Sequence, residues 1–430
     1  MYKKLASAIV LANCMAIGTA SAAPGDLDTT FGTAGTLTLP AAIGCGNLVA
    51  TLQAADGSLL LVGATPSSTR SMFVAKYDAD GQNVDWDYGV DGVVNVPRPA
   101  GYTNIKLVDA ALQVDGKLVG VAIAYNGAAP ANAMVIRLNT DGTLDTTFNG
   151  TGTLIYSYST NNSINEQDLP SAVATTPDGK ILIAASSDFS QTTAVVWNAT
   201  ITKLNANGSF DATFNNYAAG RSTLHTGDGK DVVLAPDGTI YGVGRDGSTS
   251  YVVKILANGK RDTTFGSSGR LATNFGDATT RLQAGAIQSD NKLVVSGYRA
   301  SKAFLARFNT SGANPLDLTF GSGVGYQMYD SPVPEDVLYD VAITPTGEIV
   351  GTGYGSNVNN IPTRDVLTLR TDGAGTLDTT VGVNGFATYN AASDSDYASK
   401  ISLQQDGKFL LSTVTTVAAV PQCTAVRLLP

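Results

Sequence analysis

The stretch NTDGTLDTTFNGTGTLIY, residues 139–156, holds a five-residue phrase, LDTTF, that returns along the chain with small changes. Its relatives are DLDTTFG at 26, NVDWDYG at 83, SFDATFN at 209, KRDTTFG at 260, PLDLTFG at 315 and TLDTTVG at 376. The shared aspartates are Asp28, Asp85, Asp145, Asp211, Asp262, Asp317 and Asp378, spaced by 57, 60, 66, 51, 55 and 61 residues. Seven units of about 58 residues fall in the range where self-similarity means propellers, solenoids or arrays.

Two further phrases keep the same phase. One is AADGS at 54, QVDGK at 113, TPDGK at 176, APDGT at 235, QSDNK at 288, TPTGE at 344 and QQDGK at 404. The other is KYDADG at 76, RLNTDG at 137, KLNANG at 203, KILANG at 254, RFNTSG at 307 and, degraded, LRTDGAG at 369. Each unit reads as four short strands. In the second, KLVDAALQV, a DG turn and KLVGVAIA form a hairpin, because Gly takes positive φ at little cost and Asp bonds its own backbone. NAMVIRLN, the long LDTTF turn and TLIYSY complete it. The expected fold is all-β: a seven-bladed β-propeller of four-stranded antiparallel blades. An open β-solenoid is the other architecture at this period, but its coils are shorter and lack such hairpins. In LDTTF, Asp and Thr can tie the c-to-d turn while Leu and Phe anchor it between blades. That structural role is preferred over seven equal binding sites, since every blade has the same turn to fix.

These motifs resemble the delta-60 repeat proteins of bacteria, whose units end in LDTTFG-like phrases and carry a Q-P-D-G-K-like hairpin. The resemblance spans essentially the whole chain after residue 22. DWDYG at 85–89, Asp290-Asn291 and Thr346-Gly347 depart from it. It implies a secreted repetitive β protein and brings no established catalytic residues.

The ends of the repeat array fit a closed ring. LDTTFGTAGTLTLP supplies a turn and a d strand with no a, b or c strand before it, and CTAVRLLP at 423–430 is a c strand with no d strand after it. Pairing Thr36–Leu39 with Thr424–Leu429 therefore lets the N-terminal strand complete the last blade and leaves no raw edge. Cys45 follows that d strand and Cys423 opens that c strand, so a disulfide between them is expected after export. Chain entropy credits so long a loop with roughly 5 kcal/mol. Two buried free thiols are the alternative.

Residues 1–22 carry Lys3 and Lys4, an apolar run and the small-residue stretch TASAAP, which read as a signal peptide cleaved after Ala22. A membrane anchor would need ~20 apolar residues, and lipoprotein processing at Cys14 would want a small apolar residue at Asn13. Residues 23–430 are then one exported propeller domain, periplasmic or extracellular. Its net charge of −9 becomes −11 without Lys3 and Lys4, with 25 basic against 36 acidic residues. Acidity without a basic run excludes nucleic acid and anionic membranes as partners, and a monomer is expected.

In a four-stranded blade the a-b and c-d turns share one face, and the b-c and d-a connections share the other. The first set is stereotyped. The second varies, as in SYSTNNSINEQDLP at 157, SSDFSQTTAVVWN at 186, YDSPVPEDVLYD at 329 and GYGSNVNNIPTRD at 353, and variable loops on a rigid scaffold are where recognition sits. Tyr102, Tyr125, Trp197, Tyr298, Tyr354 and Tyr397 lie in or near those loops and are candidate ligand-binding residues that could stack on sugar rings, though scattered exposed aromatics are the plainer reading. Four positions before the second phrase begins stand Asp109, Asp231 and Asp340 in blades two, four and six, with Lys400 in blade seven. As channel carboxylates they are candidate Ca²⁺ ligands, though strand-start capping is the plainer role. No other cofactor is expected. Asp78, Asp80, Asp85, Asp87 and Asp91 crowd one turn without the EF-hand order.

Catalytic constellations are missing. His225, the sole histidine, is expected in the d strand of blade four with no GxSxG elbow to serve, and Zn sites fail on ligand count. The sequence thus favours a non-enzymatic binding scaffold. A Ca²⁺-dependent lactonase or lyase using the three carboxylates is the alternative, by analogy of fold alone.

Overall fold

The computed structural model describes residues 23–65, 71–127, 130–158, 166–188, 190, 194–214, 217–331, 333–356, 363–390, 395–417 and 420–430. The expected signal segment with Cys14, and parts of the variable loops, lie outside the described residues. Seven four-stranded antiparallel sheets succeed one another along the chain. Blade one takes Asn47–Gln53, Leu59–Ala64, Met72–Tyr77 and Val93–Val96 as strands a to d. Strands a of the next five blades are Asn104–Leu112, Gln167–Thr175, Asp228–Leu234, Arg281–Ile287 and Asp336–Ile343. Blade seven is built from Tyr397–Leu403, Phe409–Val417, Val420–Leu428 and the early strand Thr36–Thr38.

Burial explains the strand sequences. Strand b is covered on both faces by neighbouring strands and blades, so Leu59–Ala64 and Ile349–Ser356 are buried throughout and read as continuous apolar or small residues. Outer strands such as Thr153–Tyr156 have only four residues and are partly exposed, a length that limits edge pairing with other chains. The core is divided among blade junctions. One cluster joins Leu60, Val62 and Val74 of blade one to Ile105, Leu118 and Met134 of blade two.

The ring closes as the sequence predicts. Thr36, Leu37 and Thr38 pair with Val426, Ala425 and Thr424, the hydroxyls of Thr38 and Thr424 lie 3.0 Å apart, and Gly25 N–H donates to the Leu429 carbonyl at 3.0 Å. Cys45 and Cys423 form a disulfide, with Cα atoms 5.9 Å apart. One expectation is corrected. His225 lies in strand d of blade three, Arg221–Thr226, not of blade four. The first LDTTF phrase belongs to the closing blade, so every later phrase falls one blade earlier than its ordinal.

The three repeated phrases share a phase because they meet at one carboxylate. In blade two, Thr147 N–H and Oγ1–H donate to Asp145 Oδ1 at 3.0 and 2.6 Å. On the other oxygen, Arg137 Nε of the third phrase approaches Oδ2 at 2.8 Å and Lys117 Nζ of the DGK phrase at 3.1 Å. The Arg137 guanidinium lies 4.8 Å from the centre of the buried Phe148 ring and also donates to Ala206 O in blade three. Blade five repeats the knot with Asp317, Thr319, Arg307, Lys292 and Phe320. Blade seven assembles it across the ring closure from Asp28, Thr30, Arg427, Lys408 and Phe31. Phe is thus the buried anchor, whereas Leu144 keeps 37% exposure. Gly142 is required beside the knot: its φ is +85°, and a Cβ there would come within 2.4 Å of Val94 and 2.9 Å of the Tyr88 ring in blade one.

Candidate functional site at the channel

All seven strands a carry a register shift at one point, skipping Val49, Val108, Ser171, Lys230, Gln283, Tyr339 and Ser399. A bulge sets two consecutive residues against one on the partner strand and so re-aims side chains. The residues that follow are Ala50, Asp109, Ala172, Asp231, Ala284, Asp340 and Lys400. Around the ring, carboxylates alternate with alanines until blade seven contributes an ammonium.

Each carboxylate binds forward into the next blade. Asp109 Oδ2 accepts Val173 N–H at 2.9 Å, Asp231 Oδ2 accepts Gly285 N–H at 2.9 Å, and Asp340 Oδ2 accepts Ile401 N–H at 3.0 Å. Their other oxygens take the amides of Ala110 at 2.9 Å and Val232 at 2.8 Å in the cases of Asp109 and Asp231. Alanine or the lysine stem at the facing position leaves room for this reach. Lys400 Nζ stands 2.9 Å from Asp109 Oδ1.

Burial raises Asp340 to about 6, against the opposing pull of Lys400 and the Ile401 amide. Asp231 is raised for the same leading reason. Burial alone would lower Lys400, but Asp109, Asp340 and Asp231 together hold it well above its ordinary value. The layer carries three carboxylates for one ammonium: burial leads the shifts of Asp340 and Asp231, while the three carboxylates set that of Lys400.

This layer divides the channel. Asp231, Asp340 and Lys400 line a cavity of about 650 Å³ toward the a-b turns and also one of about 150 Å³ toward the loop face. Asp109, Asp231 and Asp340 are brought together as the sequence suggested, yet the cation they surround is a lysine. With backbone amides and Lys400 already engaging their oxygens, the set does not suit Ca²⁺, which wants six to eight free oxygen ligands. Among the described residues, no group of three or more His, Cys, Asp or Glu side chains is arranged to hold a metal. In the acidic turn, Asp78 accepts Gln82 N–H at 2.8 Å and Asn83 Nδ2–H at 2.6 Å, and Asp85 pairs with Lys76 at 2.8 Å.

Lys400→Met is expected to cost about 3 kcal/mol at pH 8 and much less at pH 5. A carboxyl raised on folding contributes stability that is present below its unfolded value and lost as pH rises through its folded value, here about 6 for Asp340. Without the ammonium that loss deepens, so urea midpoints of the two proteins should diverge with rising pH. A gap independent of pH would mean that Lys400 acts by packing alone.

The six predicted aromatic residues divide. Tyr354 and Tyr397 flank Tyr339, with ring centres 5.6 and 6.2 Å from it, and Tyr298 lies within electrostatic reach of Tyr339 and Tyr354. Arg364 covers the Tyr354 ring at 4.1 Å. Tyr339, the centre of this group, is the bulged residue of blade six and was not singled out in the sequence. Strand alternation would turn it away from Asp340, and only the bulge puts both on the small cavity. Tyr102 instead packs at the junction of blades one and two, with its hydroxyl 3.4 Å from Asn132 Nδ2. Tyr125 pairs with Asn104 at the end of its strand. Trp197 borders a separate cavity with Thr226 and Asp246. His225 stacks on Tyr251 at 5.3 Å, and its Nδ1 lies 2.8 Å from Thr226 O.

No helix among the described residues is long and apolar enough to cross a membrane. No curated protein matches the chain. Among solved structures, the chain is similar to virginiamycin B lyase from Staphylococcus aureus, at 12% identity over 92% of this chain and 99% of that one, with a TM-score of 0.47. It is also similar to a protein of unknown function from Dyadobacter fermentans, at 9% identity over 91% and 97%, with a TM-score of 0.48. A third similar structure is the polysaccharide lyase Uly1, at 11% identity over 89% and 90%, with a TM-score of 0.47. Residues 113–148, 176–214, 235–265 and 288–320 match the family described as a domain of unknown function (DUF5122) beta-propeller. Each matched segment begins at an a-b turn and ends at the aromatic residue of the Asp knot: Phe148, Phe214, Phe265 and Phe320. The chain is therefore a seven-bladed β-propeller whose blades two to five carry segments matching a propeller-repeat family.

Proposed function

We propose that the protein is an exported, non-enzymatic scaffold of the delta-60 repeat type. It binds a protein, glycan or envelope component, as a monomer, through the face of the b-c and d-a loops. Residues 1–22 direct it out of the cytoplasm as a cleaved signal segment, and the cystine accords with an oxidising compartment. The contrast between the two faces carries this reading. One face repeats a single Asp knot from blade to blade, while the other varies in sequence and holds Tyr102, Tyr125, Trp197 and the tyrosine group at the channel mouth. The alternative hydrolase on Asp109, Asp231 and Asp340 finds no support in carboxylates already bound to amides and a lysine.

The exported chain can be immobilised and challenged with native cell-envelope extract. Retention should be lost in the triple variant Tyr102→Ala, Trp197→Ala, Tyr397→Ala and kept in Val114→Ser, Val383→Ser, whose valines are exposed in turns of the opposite face. Absence of retained material, or loss in the second variant alone, would reject the loop face as the binding surface.

A further inference from the structure

We propose that the loop-face mouth of the channel is a subsite for the terminal residue of a neutral glycan, with its ring stacked on Tyr339. This rests on the scaffold reading above and names the ligand class for one part of that face.

The cavity of about 150 Å³ is lined by Asn47, Ser171, Lys230, Gln283, Tyr339 and Ser399, with the carboxylate layer as its floor. Its rim is therefore mainly amides, hydroxyls and a phenol, with one ammonium. Such groups suit a molecule that carries hydroxyls around an apolar ring face: the hydroxyls pair with amide and carboxylate oxygens, and the C–H face lies on an aromatic ring. The volume admits one sugar ring, which points to a chain end and not an internal segment.

The site is prepared because Tyr339 is held in place before any ligand arrives. Tyr354 tilts against it at 55°, and Tyr397 meets it edge-on at 80°. Arg364 backs the buried Tyr354 in turn. An aromatic platform fixed by its neighbours loses little rotamer freedom on binding.

Charge selects among sugars. The floor holds three carboxylates against Lys400, and Lys230 on the rim is paired with Asp228 at 3.6 Å, so a uronate or sialate would be repelled. An organic cation would gain from the floor but offers no hydroxyls to the amides and hydroxyls of the rim. A neutral sugar meets neither obstacle.

The test is binding of the exported chain to immobilised glucan, mannan and galactan, with polygalacturonate as the acidic counterpart. At least one neutral polymer should retain it and polygalacturonate should not. Tyr339→Ala should weaken retention at least about 10-fold, while Tyr339→Phe stays within about threefold. Should Tyr339→Ala fold poorly, Tyr397→Ala, which removes the supporting edge, should weaken binding in the same direction while the chain stays folded. The inference is overturned if no neutral polymer binds, if polygalacturonate binds as well, if tetramethylammonium displaces the polymer, or if Tyr339→Ala binds like wild type. Envelope material retained through the loop face while all neutral polymers fail would sink this subsite alone. Failure of both experiments would remove the scaffold reading with it.

Discussion

Asp145→Ala is expected to lower folding stability by about 4 kcal/mol, because it strands Arg137 and Lys117 beside an empty pocket. The side chains of Asp145 and Arg137 are only 3% and 4% exposed, so water cannot take over the lost contacts. Asp85→Ala in blade one is the matched control. There the carboxylate is 34% exposed, pairs with Lys76 and faces Asp87 where the other knots have threonine. Its loss should cost about 1 kcal/mol or less. Acid should erode the knots themselves. Burial would raise Asp28, Asp211 and Asp317, but the threonine hydroxyls, the lysines and the remaining partners outweigh it and hold each at about 2. A carboxyl depressed on folding contributes stability that is present above its unfolded value, near 4, and lost as pH falls through its folded value. The window is therefore pH 4 to 2, and Asp145→Ala should show a shallower loss across it than wild type. Urea unfolding at pH 7 and melting points at pH 4, 3 and 2 measure both effects. Equal costs for Asp145→Ala and Asp85→Ala would reduce the knot to a surface ion pair.

The same knot explains why the architecture was legible. The Asp, Thr and Phe of one phrase, the Lys of DGK and the Arg or Lys of the c strand come from separate parts of each unit, but they converge on one point, so none can drift without loss. Their fixed phase in the sequence is the trace of that convergence. Ring closure was legible for a related reason: an unpaired d strand at one end and an unpaired c strand at the other each require a partner, and Thr36–Thr38 supplies it to Val420–Leu428.

The channel was harder to read. Asp109, Asp231, Asp340 and Lys400 could be aligned by counting from the DG turns. Their roles depended on features that counting does not reveal. The alternating alanines matter because a small residue lets the preceding carboxylate reach the amide beyond it, as Asp109 reaches Val173 past Ala172. Lys400 was noted as the exception in blade seven, but only proximity shows it to be the counter-charge for Asp109. Tyr339 was hidden by the bulge. A single register shift, which leaves no fixed residue signature, decides whether it shares a surface with Asp340 or faces away.

Removing the cystine with Cys45→Ala, Cys423→Ala should be the more damaging change to the ring as a whole. The two residues are 378 apart in sequence, and chain entropy assigns a crosslink of that span roughly 5 to 6 kcal/mol. Three residue pairs between Thr36–Thr38 and the c strand would then hold the outer edge of blade seven, helped by single backbone bonds from Gly25, Asp28 and Leu39 to Leu429, Arg427 and Cys423 and by the Arg427 to Asp28 contact at 2.9 Å. A strand of three residues forms little hydrogen-bonded area, so its detachment becomes the first opening event and the melting point should fall on the order of 10 °C. Alanine is used at Cys423 because the position is buried and serine would add an unpaired hydroxyl. Detachment frees the edge of Val420–Leu428, which then pairs with other molecules. The variant should therefore associate with rising concentration in light scattering, while amide exchange at residues 36–38 quickens ahead of that in blades two to five. Exchange that quickens uniformly around the ring would show that the blades open together, and that the junction of first and last residues is no weaker than any other seam.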